Sequence, residues 1–145
     1  MKLQAEVEKK ISKPVKEVFE AIVDPEKMSR YFITSGSSRL EEGKTVIWKW
    51  DDVGAELPIT VKKVDEKHYI ISFLWSASGV ETTVEIKLKP LDTNTTLIMV
   101  REDGWESDEK GIKRYGQQIH GWVDMVTCMK AFLEYGINLR RGHSA

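Results

Sequence analysis

One cysteine, Cys128, in 145 residues excludes an internal disulfide and suits a reducing compartment. No apolar run approaches the roughly 20 residues of a membrane span, and the first residues lack a signal-peptide core, so a cytoplasmic protein without a membrane partner is expected. A net charge of −1 gives no electrostatic reason for a nucleic-acid partner. His68, His120, His143 and Cys128 show no metal-ligand spacing, so neither a metal nor a cofactor is expected. Glycine-rich phosphate loops, nucleophile elbows and paired carboxylates are also missing. No catalytic residue is therefore assigned, and the expectation is a protein that is not an enzyme. Without repeats or a Pro-, Gly- or Ser-rich linker, residues 1–141 read as one domain and 142–145 as a disordered tail.

What is present is ordinary globular composition, 41% hydrophobic and 31% charged, arranged in clear periods. From Ser107 to Gly136, Ile112, Tyr115, Ile119, Trp122, Val126, Met129 and Leu133 recur at steps of three and four, the signature of one helical face. Ser107 reads as the N-cap, and Gly136 as a left-handed C-cap with Arg140 and Arg141 beyond it. A second stripe, Met125, Cys128, Phe132 and Tyr135, needs its own cover. Burying it internally avoids the association entropy of a dimer, so a monomer is expected over a homodimer.

Earlier in the chain, Ala5, Val7 and Ile11 alternate as a half-buried strand. Pro14 opens a short helix with Val15, Val18, Phe19 and Ile22 on one face, and Asp24-Pro25 leads into a second over Glu26–Phe32. Strands follow over 37–40 and 45–50 around a Glu41-Glu42-Gly43 hairpin turn, then 57–61, 69–75, 80–89 and 95–101, with short turns between. Short connections predict an antiparallel meander with one apolar face to cover. The fold class is α+β, with a curved antiparallel sheet of six or seven strands wrapped around the long C-terminal helix, and two short helices after the first strand.

That layout resembles the helix-grip fold of the START and Bet v 1-like superfamily. More narrowly, the chain is similar to the family of the activator of Hsp90 ATPase homologue 1, in its bacterial single-domain form. The resemblance rests on Pro14-Val15-Val18-Phe19, Asp24-Pro25 before Tyr31, Leu40-Glu41-Glu42-Gly43, Ser72-Phe73-Leu74-Trp75, Thr95-Thr96-Leu97 leading to Gly104-Trp105, and Gly121-Trp122 with Val126, Met129-Lys130 and Leu133-Glu134. It implies a space between sheet and helix lined by Tyr31, Phe32, Trp48, Trp50, Phe73, Trp75, Trp122, Met125 and Met129. Such a lining of aromatics and methionines would bind a small hydrophobic or aromatic molecule. The second expectation is a protein-interaction module making chaperone contact, and the third an enzyme of the cyclase or dehydratase type. Eukaryotic relatives place much of their chaperone contact in a separate N-terminal domain, which this chain has no room for.

Two polar groups complete the reading. His120 and Asp124 lie off the main stripe and are expected to be a solvated pair. Glu102, Asp103, Glu106, Asp108 and Glu109 form an acidic cluster assigned to capping and solubility, with no inward acid or base.

Overall fold

The computed structural model describes residues 2–140, so the tail at 142–145 lies outside the described residues. The elements are β1 (Lys2–Ile11), α1 (Val15–Val23), α2 (Pro25–Met28), β2 (Ser35–Gly36), β3 (Thr45–Trp50), β4 (Ala55–Asp65), β5 (Ile70–Trp75), β6 (Thr82–Asp92), β7 (Thr95–Glu106) and α3 (Glu109–Tyr135). All seven strands form one antiparallel sheet in the order β1-β7-β6-β5-β4-β3-β2. Register shifts at Leu3/Gln4, Val61/Lys63 and Pro90/Asp92 interrupt the ladders, and such bulges bend strands and increase twist. The sheet curves around α3, whose 27 residues reach about 40 Å at 1.5 Å per residue.

Alternation decides the concave face. Val46, Trp48 and Trp50 on β3, Ile71, Phe73 and Trp75 on β5, and Val84, Ile86 and Leu88 on β6 are all buried there. Against them α3 buries Trp122, Met125, Val126 and Met129. The Lys130 ammonium donates to the Lys10 carbonyl at 2.9 Å, and the Ser12 N–H donates to Glu134 at 2.8 Å, pinning the helix to the end of β1.

Four local expectations are corrected. Residues 37–40 are not a strand: Ser37 still bonds Ile47 of β3, but Arg39 and Leu40 turn away to α1. The Leu40 N–H donates to the Val23 carbonyl at 3.0 Å, and Arg39 forks onto Glu20 at 2.7 and 2.6 Å. That guanidinium holds the Glu20 carboxyl below its usual range. The strand pairing with this side of β3 is the two-residue β2, and Gly43 (φ 83°) turns the chain into β3 without a hairpin. The second helix, expected over Glu26–Phe32, stops at Met28, and α2 is a single turn capped by Asp24. Asp108, not Ser107, caps α3, its carboxylate accepting from the Gly111 N–H at 2.7 Å. The last strand runs five residues past Arg101 to Glu106, which relocates Glu102 entirely.

The C-cap is as expected, with Gly136 left-handed (φ 67°, ψ 22°). Ile112, expected on the buried stripe, is 55% exposed, while its neighbour Gly111 is buried and Tyr115 packs on Trp105 of β7 at 6.1 Å. The second stripe is covered from within over most of its length. Met125 and Cys128 are buried, and Phe132 stacks on Tyr31 at 6.2 Å, while Tyr135 stays 69% exposed. Burial, joined by the Asp124 charge, pushes the Cys128 thiol up. A thiol reagent should therefore modify Cys128 about tenfold or more slowly in the native protein than in denaturant, and equal rates would show the stripe uncovered.

Candidate functional site

β7 sets the centre of the site. Thr96, Ile98 and Val100 point inward at every second residue, and strand geometry carries the same side to Glu102, which is 0% exposed. The parity then breaks. Leu3 pairs with Trp105 and Gln4 with Asp103, so Gly104 is the extra residue of a bulge, at φ 132°. That bulge returns Trp105 to the interior, where its Nε1 donates to the Ser78 hydroxyl at 3.0 Å. A side chain at Gly104 would meet the Glu81 carbonyl at 3.2 Å in a backbone conformation that favours glycine.

A carboxylate removed from water must be replaced its hydration by the protein. Glu102 Oε1 accepts from Trp122 Nε1 at 2.7 Å and from Gln118 Nε2 at 3.0 Å. Glu102 Oε2 accepts from the Thr82 hydroxyl at 2.6 Å and from Trp75 Nε1 at 2.9 Å. Indole N–H and amide NH2 groups only donate, so this donor set is built for an acceptor-only carboxylate. Among the described residues no ion pair includes Glu102. Its neighbours solvate the charge without neutralising it.

Three of those donors, Trp75, Trp122 and Gln118, also build the wall of a pocket. Trp75 and Trp122 stack at 5.4 Å, and Phe32 stands edge-on to Trp50 at 5.4 Å. These four rings, with Gln118 and Gly121 of α3, enclose a space of about 250 Å³. Val53, Ala55, Leu57 and Ala77 complete its rim. The volume falls just below the roughly 300 Å³ at which drug-sized sites begin, so it suits a molecule of one or two rings. A Cβ built on Gly121 meets nothing within 4 Å, so the helix leaves this part of the pocket open.

Of the nine residues expected to line the space, Phe32, Trp50, Trp75 and Trp122 do so. Trp48 and Phe73 lie behind them as packed core, in T-shaped contact at 5.4 Å. Met125 and Met129 are buried further along α3, in the filled core. Tyr31 is sealed away, its hydroxyl donating to the Ala21 carbonyl at 2.8 Å, and burial pushes its phenol well up. The expectation of no inward acid is overturned by Glu102. Gln118 and Thr82 were not singled out either. His120 and Asp124 are exposed, as read.

The sequence profile described as "Activator of Hsp90 ATPase homolog 1-like protein" matches residues 12–134. Among solved structures, the protein SSP2350 from Staphylococcus saprophyticus is 30% identical, with a TM-score of 0.82 covering 95% of this chain and 96% of that one. DynU16, a protein of the dynemicin biosynthetic locus, is 26% identical with a TM-score of 0.81, covering 93% of this chain and 48% of its own. The Aha1 dimer from Colwellia psychrerythraea shares the fold at 14% identity, with a TM-score of 0.78 and coverage of 92% and 98%. No functionally curated protein matches the sequence.

Proposed function

Because this chain belongs to the Activator of Hsp90 ATPase homolog 1-like family, whose fold commonly takes hydrophobic ligands, we propose that it binds one small aromatic or apolar molecule between sheet and helix. The observation carrying this reading is the pocket walled by Phe32, Trp50, Trp75 and Trp122. A domain with a core this rich in large rings could have filled that space, as Trp48 and Phe73 fill theirs. The likeness to DynU16, which comes from a biosynthetic locus, is in keeping with a small organic ligand.

Binding accounts for the geometry better than catalysis. Glu102 is the one inward acid beside the pocket among the described residues, yet each of its oxygens already holds at least two donors and neither reaches solvent. A general acid or base has to meet the proton it transfers within hydrogen-bond reach. Glu102 is occupied with holding Trp75, Trp122 and Gln118 in place. The working unit in this reading is a cytoplasmic monomer, because Tyr31 and its neighbours cover the second stripe of α3 internally. Chaperone contact ranks second, resting on the family alone.

Gly121→Leu tests the reading. Leucine is the better helix former by up to about 1 kcal/mol, so the variant should be no less stable than the parent. Its side chain projects into open pocket space and should weaken a bound single-ring aromatic about tenfold or more. Mass spectrometry of any molecule that copurifies with the parent, and not with the variant, identifies the ligand. Equal retention by both would place the ligand elsewhere.

A further inference from the structure

We infer that the pocket selects a cation, specifically a quaternary or fully alkylated ammonium group carried on a small apolar or aromatic body. This rests on the pocket being the binding site and adds the charge of what it takes. Three observations converge. First, the walls are three indoles and a phenyl ring, the surfaces that attract cations through the negative faces of their π-systems. Second, a full negative charge stands directly behind two of those indoles. Glu102 is buried, solvated by neutral donors, and paired with no cation among the described residues. Third, the indoles are oriented by that charge. Trp75 and Trp122 each aim the positive N–H end at Glu102, at 2.9 and 2.7 Å, which turns the electron-rich remainder of each ring away from the carboxylate. A hydrogen bond donated to an anion also pushes electron density onto the donor ring, strengthening its hold on a cation.

The absence of a hydrogen-bonding wall narrows the class. The lining is almost wholly carbon, with Gln118 its main polar group; the Gln118 amide nitrogen donates to Glu102, which leaves its amide oxygen as the one side-chain acceptor facing the pocket among the lining residues. A primary ammonium has three N–H groups to satisfy, and the single Gln118 amide oxygen could replace only one of the hydrogen bonds it would lose to water. An alkylated ammonium has none to lose and presents methyl groups that pack on rings. In the low-dielectric space between sheet and helix, a monocation one indole's breadth from Glu102 is attracted more strongly than it would be at the surface.

The test uses a pair of probes of the same shape, phenyltrimethylammonium and tert-butylbenzene, titrated into the full chain. The readout is the indole N–H resonances of Trp75 and Trp122. Binding of the cation about tenfold or more tightly than its neutral twin is the expected result. Equal or tighter binding of tert-butylbenzene would overturn the charge preference while leaving the apolar-ligand reading intact. If neither probe moves those resonances, both fall together. Glu102→Gln, checked for folding by near-ultraviolet circular dichroism, should bring the ratio of the two probes' affinities close to one, whatever it does to the affinity of each. A folded variant that keeps the full preference would show that Glu102 is not its source, and if the variant does not fold the probe pair on the parent decides alone.

Discussion

Glu102→Ala should destabilise the protein by about 4 kcal/mol, more than any other single carboxylate removal in the chain. The loss comes from the partners left behind. Two buried indole N–H groups, the Thr82 hydroxyl and the Gln118 amide all lose an acceptor, and each buried donor left unpaired costs about 1–3 kcal/mol. Water entering from the adjoining pocket recovers part of that, which keeps the total below the plain sum. Against a typical stability of roughly 5–15 kcal/mol the change is large. Urea unfolding of Glu102→Ala beside Glu109→Ala measures it, because Glu109 is an exposed residue in the first turn of α3 whose removal should cost under about 1 kcal/mol. Two equal midpoints would mean that the buried carboxylate does not organise the site.

Trp122→Ala should cost about 3–5 kcal/mol, and Trp122→Phe about 1.5–3 kcal/mol. The two substitutions separate two roles. Alanine removes a buried ring that packs on Trp75 at 5.4 Å and on Phe32 at 6.0 Å, and leaves a cavity. Phenylalanine keeps most of that packing but removes the N–H donated to Glu102 Oε1 at 2.7 Å, and hydrogen bonds to charged groups lie at the strong end of the range. Thermal or urea unfolding of both variants gives the comparison. A Trp122→Phe protein as stable as the parent would show the hydrogen bond to be dispensable and reduce Trp122 to a packing residue.

Alternation of apolar residues made the meander legible, and the steps of three and four between Ile119 and Leu133 made α3 legible, because a half-buried strand or helix has to repeat its own geometry. The buried carboxylate was legible in principle and missed. Thr96, Ile98 and Val100 set a period of two that lands on Glu102, but the run Glu102-Asp103-Gly104-Trp105-Glu106 has the composition of a loop. Composition won that reading, and strand parity was the better guide. Residues 37–40 failed for the opposite reason, since their pattern suits a strand while the Arg39–Glu20 fork and the Leu40–Val23 bond take their second half to α1. Alternation also gives the side of a residue and not its depth. Trp48 and Trp50 share one face of β3, yet Trp48 is core and Trp50 is pocket wall, although Phe32 packs against both. Which of Ser107 and Asp108 caps α3 is likewise a matter of backbone angle, and both residue types are good caps.

The central claim is that the aromatic pocket over Glu102 is where this protein binds, and the five tryptophans supply a direct measurement. In a proton–nitrogen correlation spectrum each indole N–H gives its own signal. Titration with a library of small aromatic and alkylammonium compounds should move the Trp50, Trp75 and Trp122 signals together at some member. Trp105, bonded to Ser78 and outside the pocket, should stay fixed as an internal control. The contradicting result is a library that moves none of the three, or one that moves Trp105 as much as Trp75 and Trp122.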